Sequence, residues 1–491
     1  MSETNKQIFF LGIGGIGMSA LARYYKHEGY TVAGYDRTPS DLTRALESEG
    51  IEIVYGDDQL EIGDWRLKLS TEDTLVVRTP AVPENNSIYT YLREQGFTIL
   101  KRAEALGKIT ATKKALCVAG THGKTTTSTI LAHLMALHGK NEHGLTRKGT
   151  ENNCSQINQI KQIGNGVNAF LGGISENYKT NLLLDKESEY VVVEADEFDR
   201  SFHHLRPYMT VVTSVDPDHL DIYGTPEAYR ESFEHYCSLV SNTILLKYGL
   251  QDKLHIQSQA RVLTYSAEDT RADFYAANIA TKGGTITFDL HYPDGVIGKI
   301  QLGVPVWVNI ENSVAAAAIA LLNGVTEDEV RRGLATFKGV HRRFNIHVQT
   351  PEVAYIDDYA HHPQEIAASI ASVRKLYPER HLLGIFQPHL YTRTRDFADE
   401  FAKVLSTLDE VILLPIYPAR ELPIEGVNSE MLLSKITLRD KHLLSKEALL
   451  AEIGERARKM TPVAVLTIGA GDVDRLVSAI AETLNGSLRE R

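Results

Sequence analysis

Three segments of the chain each open with a strand-like apolar run that ends in glycine, and in the first two a helical pattern follows at once. A glycine turn between a buried strand and a helix is the first half of a βαβ unit, and such units repeat into parallel sheets covered by helices. The first segment has an apolar strand at Ile8–Leu11, a glycine turn, a helical pattern, and further strands in TVAGYD near residue 31 and TLVVRTP from Thr74 to Pro80. The second begins ALCVAGTHGKTTTSTILAHLMALHG and continues with YVVVEAD from Tyr190 and MTVVTSVD from Met209. Both later runs are continuously apolar and end in acidic residues, the pattern of parallel strands buried on both faces. The third starts near Gly339, where HLLGIFQP, DEVILLPIY and AVLTIGAGD read as parallel strands with helices between them. The expectation is α/β throughout, in three successive domains: N-terminal Rossmann-like (1–112), central P-loop ATPase-like parallel sheet (113–338) and C-terminal Rossmann-like (339–491). A length of 491 residues independently suggests about three cores. Between Gly139 and Gly166 the chain turns polar and is expected to be a surface loop or a partly disordered insertion.

Hydrophobic residues make up 43% and charged residues 23%, the balance of a soluble globular protein. A net charge of −11 argues against a general nucleic-acid binder but leaves room for one local nucleotide site. Cys117, Cys154 and Cys237 are odd in number, far apart and in no CxxC pair. That suits a reducing compartment and gives neither a disulfide framework nor a thiolate metal site. The N-terminus lacks a signal-peptide layout, and no apolar run approaches the roughly 18 residues of a membrane span. A soluble, cytoplasmic protein is expected, monomeric or homodimeric, with no nucleic-acid or membrane partner.

Gly12, Gly14 and Gly17 form G-x-G-x-x-G, with Gly15 in the same turn and Asp36 about twenty residues on. Glycines let the backbone approach a diphosphate, and the helix N-terminus supplies N–H donors and positive partial charge. Taken alone, these residues fit an NAD site, another diphosphate, or simply a tight turn. The run Gly120, Thr121, His122, Gly123, Lys124, Thr125, Thr126 is more specific, because Gly-Lys-Thr opens a helix directly after a strand ending at Ala119. Its glycine spacing is shorter than that of G-x-x-x-x-G-K-T. Backbone N–H groups there would cradle a β-phosphate, Lys124 would bridge β and γ oxygens, and Thr125 would ligate Mg²⁺. Glu194, Asp196, Glu197 and Asp199 follow the strand YVVV, and His219 lies at the same sheet edge. Beside a triphosphate site such carboxylates become candidates for holding a hard cation. In the third segment, Arg342-Arg343, the run from Asp358 through Tyr359, His361 and His362, and His389 leading to Arg393 gather at strand ends. That is the composition of a site for an anionic, carboxylate-bearing ligand.

Together these segments resemble the Mur ligase family, bacterial enzymes that build the peptide stem of the cell wall. GTHGKTTT, EADEFDRSF, DPDHLDIYG, NIENSVAAAAIA, GVHRRF, DDYAHHP and FQPHLYTRT occur in the order that family uses, over nearly the whole chain. The last two look most like the members that add the first residue, L-alanine, to UDP-N-acetylmuramate. The resemblance implies that the first domain holds the UDP-sugar, so that Gly12, Gly14, Gly15, Gly17 and Asp36 serve it rather than NAD. It implies that the central domain binds ATP and Mg²⁺, with Thr125, Glu194 and His219 in metal-ligand positions and Asn309 and Asn312 near the nucleotide. Arg343 matches an arginine that reaches ATP from the third domain, and Tyr359, His361, His389 and Arg393 match the alanine pocket. The chain departs from the family at Ser214 and Asp216, usually Asn and Glu, at Val308, usually His, and at Leu390, usually Arg.

The implied chemistry is attack of the muramic-acid carboxylate on the γ-phosphate of ATP, giving an acyl phosphate and ADP, followed by attack of the alanine amine and loss of phosphate. Lys124, Arg343 and Mg²⁺ would neutralise the meeting of two anions, and His361 is the expected base for the ammonium proton. Domain closure would assemble these groups and exclude water. Three alternatives compete with it. One is a recycling ligase that attaches a murein tripeptide to the same sugar nucleotide. The others are an NAD oxidoreductase fused to a phosphate-loop domain and a catalytically weak nucleotide-binding scaffold.

Overall fold

The computed structural model describes residues 7–56, 69–138, 166–419 and 421–486. The polar run at 139–165, with Cys154, lies outside the described residues. Two compact units make up the chain. One comprises Met1–Ala277, Asp289–Gly298 and Asn312–Thr336; the other comprises Asn278–Phe288, Lys299–Glu311 and Phe337–Arg491.

The first sheet holds β1 (Gln7–Leu11), β2 (Thr31–Asp36), β3 (Glu52–Tyr55), β4 (Thr74–Arg78) and β5 (Thr98–Lys101), in the order β3-β2-β1-β4-β5. All its pairings are parallel. Ile8, Phe9, Phe10 and Leu11 are buried in sequence, so the strand is apolar on both faces. Strand order reverses at β1, and the glycine turn that follows opens at the crevice between β1 and β4, where such sheets bind ligands.

The second sheet holds β6 (Lys114–Ala119), β7 (Asn168–Ser175), β8 (Thr180–Leu183), β9 (Tyr190–Ala195), β10 (Pro207–Val212), β11 (Thr243–Lys247) and β12 (Arg261–Ser266). Their order is β12-β11-β10-β6-β9-β7-β8, continued past β12 by β13 (Phe274–Lys282), β14 (Thr285–Tyr292) and β15 (Gly295–Gln301). Because β6 is parallel to both β9 and β10, the turn after β6 and the segments after β9 and β10 emerge at one edge. One buried core runs through the first sheet and this one, from Ile8, Phe10 and Tyr24 to Phe170, Val193 and Phe233. Tyr24 and Phe170 meet with ring centroids 5.4 Å apart. That shared core joins the first sheet and most of the second within one compact unit.

In the other unit, β16 (Asn345–Gln349), β17 (Val353–Asp358), β18 (His381–Phe386), β19 (Glu410–Leu413), β20 (Lys441–Leu443) and β21 (Val463–Ile468) form a third sheet. Its order is β16-β17-β21-β18-β19-β20, with only β16 antiparallel. Tyr355, Leu383, Val465 and Ile480 lie in its core. The chain leaving β17 and β18 carries the His- and Arg-bearing segments to the same sheet edge.

Candidate active site

Gly120 follows β6 at φ +129°, and a Cβ there would fall 2.1 Å from Thr213 Oγ1, so the turn tolerates only glycine. The segment after β10 pins this turn. Thr213 Oγ1 donates to the His122 carbonyl, and Ser214 Oγ accepts the His122 N–H at 3.0 Å. Thr121 Oγ1 reaches the Asp216 carbonyl at 2.7 Å and the Tyr229 hydroxyl at 2.9 Å. The helix Lys124–Leu137, with Thr126 in its first turn, starts at Gly123 with no side-chain cap. Its first N–H groups are therefore left for a ligand or water to satisfy. Asn312 Oδ1 accepts from Thr127 Oγ1 at 3.1 Å and lies 3.0 Å from where a Gly123 Cβ would be, which places it against the turn.

The four carboxylates after β9 part company. Glu194 accepts from Thr125 Oγ1 at 2.9 Å. Glu197 takes the Lys124 ammonium on both oxygens, at 2.7 and 2.9 Å, and Lys124 Nζ also donates to the Gly120 carbonyl at 2.6 Å. The Glu197 side chain is only 3% exposed. Burial raises its carboxyl above the ordinary range while the Lys124 charge pulls it down. Asp196 pairs with Arg102 at 2.7 Å and Asp199 with Lys101 at 2.8 Å, both cations arriving from the end of β5.

Thr125 and Glu194 offer two adjacent hard oxygen donors. That fits Mg²⁺, which takes few protein ligands and keeps several waters. His219 is a left-handed residue at φ +51°, edge-on to Phe198 at 5.1 Å and 3.7 Å from an Asp218 oxygen. Among the described residues no three His, Cys, Asp or Glu side chains form a metal-binding group. Of the expected set, Thr125 and Glu194 are hydrogen-bonded to each other, while His219 contacts Phe198 and Asp218.

At the first sheet, Gly12 turns at φ +82°, and a Cβ would fall 2.4 Å from Thr79 Cγ2 of the chain leaving β4. Gly14 N–H donates to Asp36 Oδ2 at 2.7 Å, and Arg37 N–H to Asp36 Oδ1 at 2.8 Å. Asp36 therefore holds the glycine turn through Oδ2. Gly15 is the N-cap of the helix Ile16–His27. A Cβ on Gly17 would meet Arg102 Nη1 at 2.6 Å, so the guanidinium that pairs with Asp196 also lies over the glycine turn.

In the other unit, Tyr359, His361, His389 and Arg393 gather as expected. Tyr359 and His361 have ring centroids 5.5 Å apart, His361 and His389 6.4 Å, and Arg393 Nη1 lies 3.4 Å from His389 Nδ1. His361 Nδ1 is 3.1 Å from the Tyr359 carbonyl, which can only accept, so Nδ1 carries the proton and Nε2 the lone pair. Burial, aided by the Arg393 charge and opposed by Glu365, pushes His361 down to about 4. Burial and then Arg393 lower His389 as well. The paired arginines divide their roles. Arg342 is buried and donates to Asp357 at 3.2 Å and to the Gly469 carbonyl at 2.6 Å, whereas Arg343 lies 5.6 Å from the Tyr359 ring centroid. Asn309, also in this unit, donates to the Val304 carbonyl at 3.3 Å.

Three family models cover most of the chain in consecutive order. They are the Mur ligase family catalytic domain at 7–114, the Mur ligase middle domain at 118–320 and the Mur ligase glutamate ligase domain at 342–480. The chain belongs to the Mur ligase family. It is 51% identical to UDP-N-acetylmuramate–L-alanine ligase of Porphyromonas gingivalis, over 98% of this chain and 99% of that protein. In fold it is similar to a UDP-N-acetylmuramate-alanine ligase from Thermotoga maritima, with TM-score 0.74 and 24% identity over 99% of this chain and 100% of that one. A murein peptide ligase from Psychrobacter arcticus matches with TM-score 0.64 and 22% identity, over 98% of each chain.

The structure shows the surroundings of the four positions at which the motifs differ from the expected family pattern. Ser214 supplies the hydroxyl that holds His122 N–H, and Asp216 contributes its carbonyl to Thr121. Val308 is 47% exposed. Leu390 sits at φ +70° immediately before the helix Tyr391–Asp396. Arg102 lies at the glycine turn and Tyr417 stacks on His389 at 5.7 Å, and neither carries a motif that would single it out in the sequence. Glu197 stood in the sequence only as one of four carboxylates. Among the described residues, no helix is long and apolar enough to cross a membrane.

Proposed function

We propose that this Mur ligase joins L-alanine to the carboxylate of UDP-N-acetylmuramate in the cytoplasm, using ATP and Mg²⁺ and passing through an acyl phosphate. The observation that carries this reading is the 51% identity, over nearly the full length, to a ligase named for L-alanine. The geometry supports the following division of parts on this reading. The Gly12–Gly17 turn, with Arg102 over it, holds the diphosphate of the UDP-sugar by N–H donors and one guanidinium. The Gly120–Thr126 turn holds the triphosphate, with Lys124 at its β and γ oxygens. Mg²⁺ bound by Thr125 and Glu194 would supply further screening of triphosphate charge.

The muramic carboxylate oxygen attacks the γ-phosphorus, and the bond to ADP breaks. The alanine amine then attacks the acyl carbon, and phosphate leaves with the former carboxylate oxygen. Arg393 anchors the alanine carboxylate, with His389 and Tyr359 beside it. His361, neutral with its Nε2 lone pair available, accepts the ammonium proton. A group pushed down to about 4 holds that proton only briefly, so His361 relays it instead of storing it. The test is phosphate release from ATP and UDP-N-acetylmuramate with L-alanine, glycine, L-serine or a murein tripeptide as the amine. L-alanine is expected to support the fastest release; release with the tripeptide alone would make the chain a recycling ligase instead.

A further inference from the structure

Glu197 is the most buried of the four carboxylates after β9, and neither the Thr125–Glu194 pair nor the first sheet engages its side chain. Its two oxygens face the Lys124 ammonium, whose remaining strong contact is the Gly120 carbonyl. An ammonium has three protons to give, and here all are committed to protein acceptors. The backbone that carries this side chain is also firmly held. The Glu197 carbonyl accepts the Tyr223 hydroxyl at 2.5 Å and the Arg200 N–H at 2.9 Å. Tyr223 packs edge-on against Tyr229 at 4.8 Å, and the Tyr229 hydroxyl meets Thr121 in the phosphate turn. Asp199 and Arg200, just beyond, are both left-handed at φ +51° and +54°, a conformation kept only where the surroundings fix it.

We propose that Glu197 is a resident anion which a polyphosphate must displace from Lys124, and is therefore a positioning residue that sets how tightly the turn holds ATP and ADP. The proposal rests on reading the Gly120–Thr126 turn as the ATP site. An incoming triphosphate meets a lysine already paired, and a fixed negative charge lies beside its own. Both effects weaken ground-state binding, and both favour return of the lysine to Glu197 when ADP departs. The carboxylate thus trades nucleotide affinity for product release.

The test is calorimetric binding of ADP and ATP, with Mg²⁺ present, to the full chain and to Glu197→Gln. Gln keeps the shape and removes the charge, so Kd for both nucleotides should fall by about fivefold or more, with slower ADP release. A purely structural role predicts the opposite sign, since a loosened turn binds phosphate less well. Glu197→Asp, which keeps the charge but withdraws it by one methylene, should lie between the two and serves alone if the Gln variant does not fold. Wild-type binding with equal or weaker binding by the variants overturns the proposal. Absence of ADP and ATP binding by the wild type would instead remove the ATP-site reading beneath it.

Discussion

Replacing Arg393 with alanine removes the guanidinium from the imidazole cluster and, on the proposed function, the anchor of the alanine carboxylate. With Leu390 and not a second arginine next to His389, Arg393 would bear that load on this reading. Two unit charges ~4 Å apart interact by about 4 kcal/mol at an effective dielectric of about 20. Truncating one partner of such a closed, hydrogen-bonded pair typically costs about 2–5 kcal/mol. Arg393 is half-buried, so the lower end applies. The alanine KM should then rise by about thirtyfold, with the ATP KM little changed. A second readout is independent of substrate. Arg393 helps hold His361 and His389 down, so both should titrate at higher pH in the variant, as NMR of the imidazole protons would report. The assay is phosphate release against alanine concentration at saturating ATP and UDP-N-acetylmuramate. An unchanged alanine KM together with a raised ATP KM would move Arg393 into the nucleotide site and refute the pocket assignment.

Three further outcomes follow from the same geometry. Lys124→Ala should abolish phosphate release and also strand Glu197, costing about 3–5 kcal/mol; the Lys124→Ala, Glu197→Gln double variant should regain the Tm without regaining turnover, and wild-type-like release from either would refute the role of Lys124. Arg102→Ala should weaken UDP-N-acetylmuramate about tenfold by calorimetry while leaving ADP affinity unchanged; equal binding would remove Arg102 from the diphosphate site. Burial pushes Asp358 up to about 6, so its contribution to stability is present below pH ~4 and lost as pH rises through about 6. Asp358→Asn does not titrate and should have a higher Tm than wild type at pH 8, by up to about 3 kcal/mol of stability, and a similar Tm at pH 4; the reverse trend would contradict this.

Strands such as β1, β6, β9, β18 and β21 are legible in the sequence because burial on both faces leaves them largely apolar. β14 alternates buried and half-buried positions, and neither it nor its neighbours β13 and β15 stand out from the chain around them. The core shared by the first two sheets depends on long-range packing such as Tyr24 on Phe170, which no local pattern announces. The phosphate turn is legible because its backbone demands glycine at Gly120. Which carboxylate faces it is not, because that depends on the chain path around the left-handed pair Asp199 and Arg200. Arg102 reaches the first glycine turn only because β5 ends beside it. Gly14→Val, an obvious probe from sequence, would collide with Thr43 and Asp36 at 2.7 and 2.8 Å, so Arg102→Ala is the cleaner test.

The central claim is that the muramic carboxylate becomes an acyl phosphate before the amine attacks. UDP-N-acetylmuramate labelled with oxygen-18 in that carboxylate, turned over with ATP and L-alanine, tests it directly by mass analysis of the phosphate released. The oxygen that attacks the γ-phosphorus stays with phosphate when the amine displaces it, so each phosphate should carry one labelled atom. Unlabelled phosphate alongside amide product would contradict the account.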